Sequence, residues 1–434
     1  MVVEKIIILL LIICIVSIMF VAKLNIASPA SIFVSVWTII VFAAVFLWKP
    51  NYEWNYNGVY WILSACFVCE LGAILGEKIR IRVKTRAGKE KMSEEAVAIK
   101  PRQKSVHPFA WWAMTVLIVL GLIKLAVDVT AYGFSALDLF IPSKWKEISA
   151  VITDERYTGS GGIYSIAGQV LLVFMYCSML YAGFLTNFVS KKRHIVVCVC
   201  SFLPVILNVI ISTAKSGFIA AVMLFVIGLF TGYLCKRGRQ KLKVKKKTVV
   251  ITAVMGLSVF GFLFWAMLWR AGGLEYFSEI KNKFFVYAFG SVPAFDNWLG
   301  NFYAPHYEFG KNTFLAIPHL LGLADRAQGV YGFLDGYPDS NVFTAFRALI
   351  QDFGVGGGLI VVFLIGFVGS VVYRKLSGDG KNKYINIFLY QSIMFYSMWS
   401  ILVSPWVYTS YMLIFPVCVV LIYLTLEVKH RVRS

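Results

Sequence analysis

The stretch from Asp339 to Gly358 carries an arginine, a glutamine and two aspartates into strongly apolar surroundings. Ser340, Thr344, Arg347 and Gln351 recur at spacings of three and four, so a helix here presents one polar face and one apolar face. Ionisable groups in such surroundings are costly and are retained where they meet a cavity, a partner or a substrate. A guanidinium in that position can hold an anion through two parallel hydrogen bonds. Asp352 lies five residues beyond Arg347, about 140° round a helix, and is a candidate base if it reaches the same cavity. The glycines from Gly354 to Gly358 bend the helix or admit a close neighbour.

Other chemistry-bearing residues fall where the same membrane surface can collect them. Lys215 occupies the tight turn Ser212-Thr213-Ala214-Lys215-Ser216-Gly217, and Arg270 ends an apolar run. Arg156 and Tyr157 belong to the polar run Asp154-Glu155-Arg156-Tyr157, and Arg326 lies in a long loop. With a helix N-terminus near Ser340, these cations form a candidate anion site to which Thr344 and Gln351 add polar side chains. A competing reading is that Lys215, Arg270 and Arg156 simply snorkel to the interface. The long loop also supplies Asp296, His306, Glu308, His319, Asp325, Asp335 and Asp339, with Trp298, Tyr303, Tyr307, Tyr331 and Tyr337 among them. His306 and His319 are further candidate bases, and aromatic faces with polar rims, Tyr307 included, suit sugars. Neither histidine has the spacing of a zinc motif, and no metal or other cofactor is expected. Cys66 and Cys69 form a CxxC without a second pair and read as small buried hydrophobes. Asp352-Phe353-Gly354 matches a kinase metal motif by coincidence, since no kinase scaffold accompanies it.

The elements that position these residues are transmembrane helices. Hydrophobic residues make up 59% of the chain and the mean hydropathy is +0.74. Apolar runs of about 20 residues recur, enough to cross ~30 Å of hydrocarbon, and they do not alternate as barrel strands do. The expected fold is therefore an all-α polytopic membrane domain covering 1–434, with about 11 (10–12) spans. The spans are read at 6–21, 28–48, 60–75, 109–129, 163–186, 195–212, 218–234, 249–269, 351–373, 385–403 and 408–428. The first reads as a span and not as a signal peptide, because its basic flank is thin and no cleavage site follows. An outer loop covers 130–162, and a large extracytoplasmic loop covers 270–340 with a re-entrant or interfacial helix at 284–299. Glu70 and Lys124, inside the third and fourth spans, are expected to form a structural ion pair.

The net charge of +20 invites a nucleic-acid reading, which its distribution opposes. Most of the 42 basic residues sit in short loops: the basic loop at 77–108, Lys191 to Arg193, Lys236 to Lys247, Arg374 to Lys383, and the tail from Lys429 to Arg433. That is the positive-inside pattern, which puts these loops in the cytoplasm and also suits anionic membrane lipids. It sets the N-terminus outside and the C-terminus inside. No internal repeat is evident, which disfavours a transporter built from inverted halves.

Three of these stretches together resemble the bacterial oligosaccharide repeat-unit polymerases, the Wzy-type O-antigen and capsule polymerases. Asn341-Val342-Phe343-Thr344-Ala345-Phe346-Arg347, followed by Asp352-Phe353-Gly354 and Gly357, is similar to that family's threonine/arginine segment and aspartate-Phe-Gly turn. Tyr287-Ala288-Phe289-Gly290-Ser291-Val292-Pro293-Ala294-Phe295-Asp296 is similar to its glycine-serine-x-proline-x-phenylalanine segment. The turn around Lys215 is similar to one that usually carries arginine, so Lys215 departs from the pattern. It keeps the charge and loses the bidentate fork. Arg347 and Gly358 also fit an arginine-x10-glycine spacing.

The resemblance implies a GT-C-like membrane glycosyltransferase in the bacterial cytoplasmic (inner) membrane, its active site facing the periplasm or exterior. It implies a substrate of oligosaccharide repeat units on undecaprenyl pyrophosphate, with a polysaccharide chain-length regulator as a further partner. Arg347, Arg270 and Lys215, with Arg156, would hold the pyrophosphate, and Asp352, His319, His306 or a loop acid would serve as base. An O-antigen ligase and a lipid-linked oligosaccharide flippase are the alternatives.

Overall fold

The computed structural model describes residues 2–48, 52–78, 106–158, 166–212, 215–237, 258, 260–269, 271–302, 306–324, 344–376 and 382–431. Among these residues all regular structure is helical. The helices are α1 (Val2–Val21), α2 (Pro29–Phe42), α3 (Asn57–Lys78), α4 (Phe109–Ala131), α5 (Trp145–Thr158), α6 (Ile166–Thr186), α7 (Lys192–Cys200) and α8 (Phe202–Ser212). They continue with α9 (Lys215–Arg237), α10 (Phe260–Trp269), α11 (Phe277–Phe289), α12 (Ser291–Gly300), α13 (Ala316–Leu320), α14 (Ala345–Leu376), α15 (Lys383–Trp399) and α16 (Thr409–Arg431).

Nine helical segments among the described residues are long and apolar enough to cross a membrane, which is the pattern of a multi-pass membrane protein. α7 and α8 together form one of them, the chain bending between Cys200 and Phe202. α15 has 17 residues, and only the end of the eighth expected span is described, as α10.

The framework rests on two helix pairs that approach backbone to backbone. In α3 against α14, a Cβ added to Gly72 would lie 2.2 Å from the Phe363 carbonyl oxygen, and one added to Gly366 would lie 2.1 Å from that of Cys69. In α6 against α9, the same holds at 2.0 Å for Gly183 on Phe225 and for Gly228 on Leu180. Close approach of this kind is how helices associate in lipid, where apolar burial alone gives no preference for another helix. α3 and α14 run parallel. Arg374 Nη1 donates to the Glu77 carbonyl at 3.0 Å, and Ser370 Oγ donates to Glu77 Oε1 at 3.3 Å. Lys78, Arg374 and Lys375 therefore mark one end of this pair, and the first turns of both helices mark the other.

Three expectations change. Glu70 and Lys124 do not pair: Lys124 donates to Asn208 Oδ1 at 2.6 Å and forms an ion pair with Asp128 on its own helix. Sequence places charges on spans but says nothing of which spans are neighbours. The helix expected at 284–299 is two helices meeting at Gly290, because Pro293 has no N–H to give the Phe289 carbonyl. α11 folds back along α10, where Phe264 packs edge-on against both Phe277 and Phe284. The loop at 130–162 is also more ordered than expected. It contains α5, whose Ile148 and Ile152 pack with Val129 of α4 and Ile211 of α8.

Candidate functional site

The first turn of α14 is held from three sides. The Ala345 N–H donates to the Ser400 carbonyl at 2.8 Å, and Trp37 Nε1 donates to Ser400 Oγ at 2.9 Å. Phe346 is fully buried in an aromatic cage, with centroid separations of 4.5 Å to Trp37, 4.8 Å to Trp61, 5.9 Å to Phe295 and 6.0 Å to Phe33. A ring packed this tightly fixes the rotation of the helix about its axis. Arg347, the next residue, is thereby turned toward α12, and its guanidinium carbon lies 5.3 Å from the centre of the Trp298 ring. Trp298 rests in turn on Phe295 and Phe302. Thr344 is buried at the helix start, and its hydroxyl has no hydrogen-bond partner. The described helix begins at Ala345, five residues later than the start expected near Ser340, which lies outside the described residues.

Lys215, the first residue of α9, places its ammonium 5.1 Å from the centre of the Tyr287 ring on α11. Tyr287 and Trp298 flank the α11–α12 junction at Gly290, so two of the expected cations are drawn onto this pair of consecutive helices. Both are half-buried. Arg270 and Arg326 lie outside the described residues. Arg156 and Tyr157 belong to the last turn of α5, and their side chains lie outside the described set.

Asp352 is expected as a base and is placed as an anchor. It is fully buried. Its Oδ1 accepts from the Asn312 backbone N–H and from Asn312 Nδ2, both at 3.0 Å, and its Oδ2 accepts from the Thr313 N–H at 2.6 Å. The Phe309 N–H donates to the Asp352 carbonyl at 3.1 Å, and the Glu308 N–H to that of Gln351 at 3.4 Å. These bonds hold the segment 308–313 against α14. Both carboxylate oxygens are engaged by three donors from one segment, the arrangement of a structural anchor. The segment is pinned again at its far side, where Ser404 Oγ donates to the Thr313 carbonyl at 2.7 Å and Phe314 stacks on Trp406.

Two residues after Asp352 the helix breaks. Gly354 has φ +75° and ψ 173°, a conformation that side-chain-bearing residues rarely adopt, and a Cβ there would lie 2.9 Å from Tyr307 Oη. Trp61 Nε1 donates to the Val355 carbonyl at 3.1 Å just beyond the break. The expected bend is thus a single residue. Tyr307 lies against that residue while remaining half exposed. His306 and His319 lie on the exposed surface of the same segment, with His319 Nδ1 3.3 Å from the Ala324 carbonyl. They share this rim with the Lys311–Glu308 ion pair at 3.5 Å.

Asp296 does for α3 what Asp352 does for the loop. It is fully buried, and its Oδ1 accepts from the Gly58 N–H at 2.7 Å. Its Oδ2 accepts from the N–H groups of Asn55 and Tyr56, both at 3.0 Å, and from the Tyr52 hydroxyl at 3.1 Å. A carboxylate at a helix N-terminus satisfies donors that the helix itself cannot. Burial first, and the Asp296 carboxylate second, push the Tyr52 phenol well above the usual tyrosine range, so it stays protonated and donates. The sequence places Asp296, Tyr287 and Trp298 on the helix expected at 284–299 and assigns none of them a partner. The partners of Asp296 are more than 200 positions away, and no local pattern joins them.

No family model matches the chain, and no curated protein or solved structure is detectably similar to it. The resemblance to the repeat-unit polymerases accordingly rests on its three short segments. Two of those segments meet in space where Phe346 packs on Phe295.

Proposed function

We propose that this chain is a membrane glycosyltransferase that polymerises oligosaccharide repeat units carried on undecaprenyl pyrophosphate, working at the outer face of the bacterial cytoplasmic membrane. The observation that carries the reading is the placement of Lys215 over Tyr287 of α11 and of Arg347 over Trp298 of α12. α12 abuts the first turns of α3 and α14, the end opposite Lys78, Arg374 and Lys375. By the positive-inside rule the basic end is cytoplasmic and the α12 end is outer. An architecture of about 11 spans resembling the GT-C membrane glycosyltransferases accommodates this arrangement.

In this reading an acceptor hydroxyl attacks the anomeric carbon of the donor glycan. A new glycosidic C–O bond forms, the bond to the lipid pyrophosphate breaks, and the hydroxyl proton passes to a base. Charge develops on the departing pyrophosphate, and a fixed guanidinium and ammonium stabilise it without a metal. Arg347 takes the main part, Lys215 and Arg270 assist, and Thr344 and Gln351 line the approach. Arg156, Tyr157, Arg326 and Tyr307 contact the saccharide or its phosphates. With Asp352 engaged as an anchor, the base is His319, His306 or an acid of the large loop. A base of this kind contributes about 10²–10⁴-fold.

The protein reconstituted in liposomes with lipid-pyrophosphate-linked repeat units is expected to yield a ladder of lengthened glycans. Adding a lipid core acceptor should leave that ladder unchanged. Transfer of the glycan to the core acceptor would instead make the protein a ligase. Movement of the substrate across the bilayer without bond formation would make it a flippase.

A further inference from the structure

α3 carries a carboxyl that the outer site does not use. Glu70 lies 13 residues beyond Asn57, about 20 Å along the helix axis, and its exposure is 0%. Neither Oε1 nor Oε2 has a hydrogen-bond partner. The other described acids of this region are engaged near helix ends. Glu4 accepts from Tyr60, Asp296 from the α3 N-terminus, Asp352 from Asn312 and Thr313, and Glu77 from Ser370.

The helices packed against α3 are α1, α2, α12 and α14. α2 contains no titratable side chain, and α12 contributes only Asp296. α1 offers Glu4 and Lys5 in its first turn, and Cys14. α14 offers Arg347 and Asp352 at one end and Tyr373, Arg374 and Lys375 at the other. On α3 itself the nearest such groups are the buried thiols of Cys66 and Cys69, the latter close to the Tyr396 phenol of α15. None of the described cations on these helices lies level with Glu70.

Among the described residues an ionised carboxylate in that position would have neither donor nor counter-charge, whereas a protonated one is merely a buried polar group. The residues above and below it on the same face of α3, Leu63, Cys66 and Ala73, are buried too, so that face gives water no route. We propose that Glu70 is a proton-binding site. It holds an exchangeable proton while α3 is packed against its neighbours, and it releases that proton only when the packing opens to water. The state of this site is thereby coupled to the packing of α3 against its neighbours. It depends only on burial and packing, so it stands or falls independently of any glycosyltransferase activity.

Infrared difference spectroscopy of the protein in lipid tests this, with amide hydrogen exchange as a second reading. Wild type is expected to show a protonated-carboxyl stretch that Glu70→Gln lacks and that Glu70→Asp retains at a shifted frequency. Above its midpoint that band should fall about tenfold per pH unit. Over the same range, amide exchange in residues 62–76 and 358–370 should quicken in wild type and stay constant in Glu70→Gln. A spectrum with no Glu70-dependent band would overturn the proposal. So would a band that persists unchanged to alkaline pH, or exchange that ignores the substitution.

Discussion

Arg347 lies over the indole of Trp298, its guanidinium carbon 5.3 Å from the ring centre, and this contact ties a spanning helix to the short helix α12. A cation over an aromatic face gains about 0.5–2 kcal/mol, more when desolvated. The same contact orients the guanidinium plane, which a phosphate ligand requires. Trp298→Ala is expected to slow glycan lengthening by between about twofold and about 30-fold with Arg347 intact. Trp298→Phe should recover most of the rate. Single-turnover assays on both variants provide the check, and an unchanged rate in Trp298→Ala would remove the indole from the site.

Asp352→Asn separates anchor from base. The amide keeps one acceptor oxygen and turns an N–H₂ toward the donors of Asn312 and Thr313, so docking of the 308–313 segment should weaken by roughly 1–3 kcal/mol. The expected result is faster proteolysis within residues 306–324 and a lower melting temperature. If melting and proteolysis match wild type while turnover is lost, Asp352 is the base after all.

Asp296 and Tyr52 give a pH prediction with a definite sign. Burial and the nearby carboxylate raise the phenol above its usual value, so the fold favours the protonated form. Its stabilising contribution is fully present below about pH 10, the ordinary tyrosine value, and is lost as pH rises above it. Melting temperature should fall more steeply above about pH 10 in wild type than in Tyr52→Phe. Asp296→Ala, which strips four donors of their acceptor, should cost at least about 3 kcal/mol at neutral pH.

Gly354→Ala forces a side chain into a left-handed conformation and against the Tyr307 hydroxyl. The expected cost is about 1–3 kcal/mol. Tyr307→Ala removes the contacting ring and leaves the backbone strain, so the double variant should recover only part of the melting temperature. Full recovery would show that contact, and not φ, governs the position.

Much of this was legible in the chain, and the illegible part has a physical cause. Apolar runs announced the spanning helices because lipid demands about 20 consecutive apolar residues. Gly354 announced its break, since a glycine run in a helix signals a bend. Pro293 held the information that divides α11 from α12, although the apolar run across it suggested one helix. Glu70 and Lys124 show where such reading stops, because matching charges do not reveal which helices touch. Asp296 and Asp352 show it again. In sequence Asp296 is one of several acids of the large loop and Asp352 a candidate base on a helix, and in space each is engaged by donors 39 or more positions away.

The most direct test of the central claim is glycan lengthening by purified protein in liposomes, with lipid-pyrophosphate-linked repeat units as both donor and acceptor. Wild type is expected to build polymer, Arg347→Ala to lose about 10²–10³-fold in rate while keeping its melting temperature, and Arg347→Lys to fall between them. Wild-type lengthening by a folded Arg347→Ala, or no lengthening by wild type with intact substrate, would contradict the account.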